Sequence, residues 1–367
     1  MKYLLPVLFM IFFVGLSVVS VIYLAKRMNF YFGTETIRYW YILFASMPVI
    51  MIAGMAIFSN STSAFGSMIY QFAAIITGFI LYFLMSVLLI DLLHLIIKGS
   101  PLIYGISAIV ITILVVGFGI WNAFNIKVTN FEVPVAGLQE EVRVVHLSDI
   151  HIGHFRGEKF LDKIIDLSLE ENPEAIFITG DFFDGRIKLS EEVLHPLKKV
   201  SVPMFFVEGN HDGYTGVSII KEYLRNVNVR VLENEVEMFG ELQIVGLNYM
   251  HADGQTRNMH ASGGATIKGT LDSMAIEKNH PAILLHHSPE GAKYADEHGI
   301  DLYLAGHTHA GQLFPVNYLN ELLFPYNRGM NTYNNLKVFV SEGVGTFGPP
   351  LRIGTKSEVV VLTLVPK

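Results

Sequence analysis

Five short stretches of this chain gather the residue types that hold cations. In R-V-V-H-L-S-D-I-H-I-G, Asp149 and His151 follow a β-branched, apolar run from Val144 to Leu147 that reads as a buried strand. A carboxylate and an imidazole two residues apart point the same way on an extended backbone, so both can reach one ion just past the strand's end. The other stretches are I-T-G-D-F-F-D-G with Asp181 and Asp184, V-E-G-N-H-D with Asn210, His211 and Asp212, L-L-H-H-S-P with His286 and His287, and A-G-H-T-H-A-G-Q with His307 and His309. Each follows a strand-like run, and three open on a glycine that lets the backbone turn sharply beside an ion. One of them alone reads equally well as a polar turn, whereas five in this order read as one site.

The donors are oxygen and nitrogen only. The chain has no cysteine, so neither a thiolate site nor a disulfide is possible. Such a set suits borderline to hard divalent ions, with manganese, iron or zinc as the candidates, and a shared carboxylate permits two ions about 3.5 to 4 Å apart.

From about residue 140 to residue 367 the chain resembles the calcineurin-like metallophosphoesterases, on all five stretches quoted above. Within that superfamily, the G-H-T-H-A-G-Q stretch and the later G-T-F-G-P-P-L-R-I-G segment most resemble the membrane-associated branch related to lipid-A-precursor and UDP-diacylglucosamine hydrolases. The resemblance implies that Asp149, His151 and His309 hold a first metal and that Asn210, His287 and His307 hold a second, with Asp181 bridging them. His287 is preferred to its neighbour His286 because the family ligand stands two residues before the proline, here Pro289. It further implies that His211 stands next to the leaving oxygen, oriented by Asp184. The chemistry of the donor set agrees: two ions acidify a bridging water, and the resulting hydroxide can attack phosphorus in line while the cations neutralise charge on the phosphoryl oxygens. His211 is then expected in its protonated form, with Asp184 favouring the cation, and no covalent intermediate is required. Arg352 is the best single cation for holding a substrate phosphate or sugar, with a structural salt bridge as the other reading. His154 is read either as a support for the ligands or as a surface residue.

The elements that must position these residues follow from the pattern around them. Strands and helices alternate from Arg143 to Asn226: strands at Arg143 to Leu147, Ala175 to Thr179 and Met204 to Glu208, with helices at Glu158 to Glu171, Ser190 to Val200 and Gly216 to Asn226. The alternation implies parallel βαβ units with the site at the strands' C-terminal ends. Further strands follow to Val365, so the expected fold is an α/β domain of two packed sheets flanked by helices over 141–367. It is preceded by a connection and edge strand over 126–140, where Pro134 is tolerable only at an edge. The long polar region from Asn248 to Lys278, with His251 and Arg257, is read either as a substrate-recognition cap or as a surface loop. Asn317 to Asn335 supplies Tyr318, Leu322, Leu323, Phe324 and Tyr326, a stretch read either as resting on a membrane surface or as packing under a loop.

With 51% hydrophobic against 16% charged residues and a mean hydropathy of +0.42, the chain is too apolar for an ordinary soluble enzyme. The excess lies before residue 126, where the charged side chains are Lys2, Lys26, Arg27, Glu35, Arg38, Asp91 and Lys98, a net of +3. Four apolar stretches, 4–24, 39–58, 68–90 and 103–121, are each about the 20 residues that span a bilayer, so residues 1–125 are expected to be a four-helix membrane domain. Basic residues crowd the first and third connections, which puts the termini and the C-terminal domain outside the cytoplasm of a multi-pass cell-membrane protein. Asp91 and His94, near the end of the third span, are read either as facing a polar cavity or headgroup or as interfacial. The remainder carries 21 basic and 31 acidic residues, a net of −10, which argues against a nucleic-acid partner. The expected function is a membrane-anchored, dinuclear metal-dependent phosphoesterase acting on a phosphodiester or diphosphate, in a lipid-linked substrate. The alternatives are a membrane carrier with a regulatory soluble domain and a broad-specificity tethered phosphodiesterase.

Overall fold

The computed structural model describes residues 4–184, 190–254 and 264–367, with side chains from residue 14 onward. By contacts the chain divides into two units, Met1–Trp121 with Gly348–Leu351, and Asn122–Phe347 with Arg352–Lys367.

The first unit is helical, with α1 (Leu4–Phe32), α2 (Arg38–Phe58), α3 (Ala64–Ile96) and α4 (Pro101–Phe124), whose last turn passes into the second unit. Among the described residues, α2, α3 and α4 are long and apolar enough to cross a bilayer, while α1 has 29 residues, the first ten of which lie outside the side-chain description. The third helix runs past its expected end at Ile90, and the reason is local. Asp91 is matched inside the unit by Arg27 and by the hydroxyls of Tyr23, at 2.5 Å, and Tyr31. His94 packs edge-on against Tyr104, ring centroids 4.6 Å apart.

The second unit holds two six-stranded sheets. Its strands are β1 (Lys127–Val135), β2 (Val142–Leu147), β3 (Ala175–Thr179), β4 (Met204–Val207), β5 (Val229–Val231), β6 (Glu235–Phe239), β7 (Leu242–Gly246), β8 (Ala282–Leu285), β9 (Leu302–Ala305), β10 (Gly329–Tyr333), β11 (Leu336–Val340) and β12 (Glu358–Pro366). One sheet runs β1-β12-β2-β3-β4-β5 and the other β10-β11-β9-β8-β7-β6. Pro134 does sit on an edge strand, β1. Phe177, Phe205 and Leu362 of the first sheet and Ile283, Leu304 and Phe339 of the second form the core between the sheets. The outer faces are covered by helices: α5 (Glu158–Glu170), a 3-10 helix (Glu191–Lys199) and α7 (Val217–Asn226) on the β2–β5 side, and α8 (Ile267–Leu271) and α9 (Ala292–Glu297) on the other, while the short α6 (Asn210–Thr215) follows β4. The expected helix at Ser190 to Val200 is wound as a 3-10 helix with Pro196 inside it; proline cannot donate the backbone bond that a regular α-turn needs. A further helix, α10 (Val316–Leu323), was not expected from the pattern.

Strand direction decides where the site lies. β2, β3 and β4 are mutually parallel, as are β7, β8 and β9, so the ligand-bearing turns gather at C-terminal strand ends. β12 runs antiparallel to β2, and β1 runs parallel to β12 with Lys127 opposite Glu358. The chain therefore enters this unit from α4 at the end of the sheet where the turns with Asp149, Asp181 and Asn210 lie.

Candidate metal centre

Asp149, His151, Asp181, His307 and His309 all sit in the left-handed region, with φ between 48° and 71°. A non-glycine residue there costs on the order of 1–3 kcal/mol, and such conformations persist only where the surroundings fix them. The fixing bonds are visible. The backbone N–H of Asp149 donates to the carbonyl of Gly180, that of His151 to the carbonyl of Asp181, and that of His307 to the Asp149 carboxylate at 3.0 Å. Ser148 Oγ donates to the same carboxylate oxygen, Oδ2, at 2.7 Å. Two glycines allow the turns to touch: a Cβ on Gly209 would lie 2.2 Å from Asp181 Oδ1, and one on Gly306 would lie 2.2 Å from Asp149 Oδ2.

The donors converge. His309 Nε2 is 3.1 Å from His151 Nε2 and 3.2 Å from Asp149 Oδ1. Across the pocket, His307 Nδ1 is 3.0 Å from Asn210 Oδ1 and 3.2 Å from His287 Nε2. Asp181 Oδ2 joins the halves, 3.8 Å from His151 Nε2 and 3.2 Å from His287 Nε2. Ligand atoms that each stand about 2.1 Å from one ion are about 3.0–3.4 Å apart, so these separations fit shared cations. The tautomer of His287 fits as well: its Nδ1 lies 2.8 Å from the carbonyl of Thr179 and donates to it, which turns the Nε2 lone pair into the pocket. Asp149 with His151 and His309, Asp149 with Asp181 and His287, and His151 with Asp184 and His211 each bring donor atoms within 4.8 Å of one another.

The charge balance points the same way. Burial opposes ionisation of Asp181, but His287, then His211 and His151, hold its carboxyl well below the usual range. Burial likewise opposes the His287 imidazolium, yet Asp181 and Asp149 push it up to about 9. The buried carboxylates thus favour positive charge in the pocket. His211 differs: burial outweighs the pull of Asp181 and holds its imidazole down at about 4. Asp184 Oδ1 stands 3.7 Å from His211 Nδ1 and 3.5 Å from His151 Nδ1, ion-pair distances rather than hydrogen bonds. The protonated His211 expected from the sequence is therefore not favoured by these surroundings alone.

His286 is a packing residue. Its Nδ1 lies 2.8 Å from the carbonyl of Ser288 and 2.9 Å from the Tyr303 hydroxyl, which leaves His287 as the member of the pair that faces the pocket. Arg352 lies behind the ligands and not in the mouth. It is fully buried and donates to the carbonyls of Glu342, at 2.5 Å, and Gly345, at 2.6 Å, so its fork is spent on bracing the loop behind His309 instead of on substrate. His154 is buried. His251 pairs with Thr266 in a short bridge and is not among the converging donors; Arg257 lies outside the described residues.

Three features escaped the sequence reading. Asp212 is fully buried and accepts from the backbone N–H groups of Phe182, Phe183 and Gly209, tying the second ligand turn to the third, while burial and the Asp181 charge push its carboxyl up to about 7. Tyr249 lays its ring against His287 and His307, with centroids 5.7 and 5.9 Å away. Tyr214 and Phe347, both largely exposed, flank His211 at 5.4 and 5.2 Å. The V-E-G-N-H-D motif contained Asp212, but nothing in the sequence said which backbone it would hold.

The sequence profile of the calcineurin-like phosphoesterase family matches residues 142–311. An uncharacterized metallophosphoesterase of Campylobacter jejuni is 32% identical over 268 residues, 72% of this chain and 70% of the relative. A transmembrane protein with metallophosphoesterase domain from Danio rerio is 33% identical over 277 residues, which cover 71% of this chain and 62% of the relative. Phosphodiesterase YaeI of Escherichia coli is 30% identical over 240 residues, 61% of this chain and 82% of the relative.

Proposed function

Because the chain belongs to the calcineurin-like phosphoesterase family of metal-dependent phosphoric ester hydrolases, we propose that it cleaves a phosphodiester or diphosphate in a lipid-linked substrate, using two divalent ions, manganese first among them. The observation that carries this reading is the convergence of seven donors from five strand ends on one pocket, with Asp181 shared between the halves.

Asp149, His151 and His309 on one side and Asn210, His287 and His307 on the other would hold the ions, which when bound would supply a nucleophile at neutral pH and neutralise charge on the phosphoryl oxygens. The protein fixes the donors. Asp181 accepts at 2.8 Å from the backbone N–H of His211, so the shared carboxylate and the catalytic imidazole move as one piece. His211, at the mouth, becomes cationic beside a bound phosphate and donates its proton to the departing oxygen. Asp184 lies within ion-pair reach and favours that cation. Tyr214, Phe347 and Tyr249 provide aromatic walls where a substrate's organic part can rest.

A lipid-linked substrate is supported by chain connectivity. Two residues separate α4 from β1, and β1 begins at the ligand-bearing end of its sheet. The basic residues of the first and third connections support a catalytic unit outside the cytoplasm. The test is turnover by purified full-length protein in lipid nanodiscs, with and without manganese, on bis-p-nitrophenyl phosphate and on a lipid-linked diphosphate. Manganese-dependent release from both, with the lipid substrate preferred, is expected; hydrolysis of the soluble diester alone would leave only a tethered phosphodiesterase.

A further inference from the structure

An amphipathic helix on a folded domain normally turns its apolar stripe inward. α5 does so, burying Leu161, Ile164 and Ile165. α10 is built the other way round. Its buried side chain is Asn317, whereas Val316, Tyr318, Leu319, Leu322 and Leu323 are exposed, Leu322 at 83%. At about 100° per residue these five fall on one side of the helix, opposite Asn317, Asn320 and Glu321.

The polar side is fastened to the ligand turn. Asn320 Nδ2 donates to the carbonyl of Thr308 at 3.1 Å and to Asn327 Oδ1 at 2.5 Å, and Thr308 Oγ1 donates to the carbonyl of Asn327 at 2.6 Å. Thr308 lies between His307 and His309, and Phe324, which ends the helix, rests its ring 5.9 Å from that of His307. The helix cannot roll to hide its leucines without breaking these bonds. A contiguous apolar patch held outward in this way marks a contact surface.

We propose that α10 is a membrane-docking helix whose leucine face inserts into the interfacial layer of the bilayer, holding the mouth of the metal pocket at the lipid headgroups. The occupant is the bilayer because the same chain carries three helices fit to cross one and enters the catalytic unit at the ligand-bearing end of its sheet after two residues. Eight residues span only about 12 Å, too short to cross, so the helix lies in the membrane plane. This inference rests on the lipid-linked phosphoesterase reading and explains how such a substrate reaches the pocket without leaving its leaflet.

The absence of native cysteine allows a single label. Leu322→Cys in the full chain, carrying an environment-sensitive nitrobenzoxadiazole fluorophore in nanodiscs, should be quenched by doxyl-labelled lipid and shielded from aqueous iodide. Lys293→Cys on α9, whose parent side chain is 61% exposed, should show the opposite. Equal iodide access at both positions overturns the proposal, and so does a label at 322 shielded from both quenchers, which would place a second copy or a protein partner there. The double variant Leu319→Glu/Leu322→Glu should lower the ratio of lipid-embedded to soluble diester turnover by roughly tenfold or more; an unchanged ratio removes the functional role. Because the quenching needs no turnover, a wild type that hydrolyses neither substrate refutes the phosphoesterase reading and leaves the docking result standing.

Discussion

Among the described residues, each unit contains a cluster of inward-facing polar side chains, half-buried in the helical unit and buried in the other, and the two are matched in opposite ways. In the helical unit, Asp91 is met by Arg27, Tyr23 and Tyr31, so an anion faces a cation and two donors. In the catalytic unit, Asp149, Asp181, Asn210, His151, His287, His307 and His309 turn acceptor-type atoms on one another at 3.0–4.0 Å, with Arg352 bound to backbone carbonyls behind His309. The first cluster pairs its anion with a cation and ties α1 to α3. The second is short of positive charge at its centre, and its left-handed backbone positions hold it in that state. A satisfied cluster reports structure, and an unsatisfied, convergent one reports a ligand.

Perturbing each cluster should therefore have different consequences. The largest effect is expected for Asp181→Asn, which weakens the shared carboxylate: manganese-dependent turnover of bis-p-nitrophenyl phosphate should fall on the order of a thousandfold, with the thermal midpoint of the metal-free protein little changed. A fall of less than tenfold would break the contrast. Next is removal of metal. An ion present at a hundred times its dissociation constant stabilises the fold by about 2.7 kcal/mol, so a chelator should lower the melting midpoint of the catalytic unit and leave that of the helical unit in place. Asp91→Asn should do the reverse, costing roughly 1–3 kcal/mol in the helical unit, since it strands Arg27, without altering metal content measured by atomic emission. The smallest effect involves His146, a buried imidazole outside both clusters. Its Nε2 bonds Thr179 Oγ1 at 2.7 Å, and burial pushes it down to about 3. The unfolded chain takes up that proton near pH 6.5 and the folded one does not. Stability is therefore full above about pH 6.5 and falls by at most roughly 1.4 kcal/mol per pH unit below it, and His146→Gln should flatten that slope in melts between pH 7 and 5.

The sequence was legible where one physical rule governed it. Apolar runs marked the helices of the first unit, but α1 and α3 run past their expected ends at Leu24 and Ile90, because charges that find partners within the bundle, Arg27 and Asp91, do not end a helix. Strand–turn patterns placed the donors at strand ends, since a short β-branched run followed by glycine and a carboxylate leaves the backbone few choices. Arg352 misled because sequence reveals that a guanidinium is a good anion clamp and not whether it is buried among carbonyls. The apolar stretch from Asn317 was legible but its helix was not, for a related reason: a helix that hides asparagines and shows leucines breaks the inward-apolar rule by which helices are recognised. Both misreadings fall beside the site, where local rules yield to function.

The central claim is that this pocket clasps two cations through a shared Asp181. Manganese per chain, measured by mass spectrometry on full-length protein desalted after loading, tests it most directly. The account predicts about two equivalents in the wild type and a clear loss in Asp181→Asn; a wild type that retains none, or a variant that retains as many as the wild type, would contradict it.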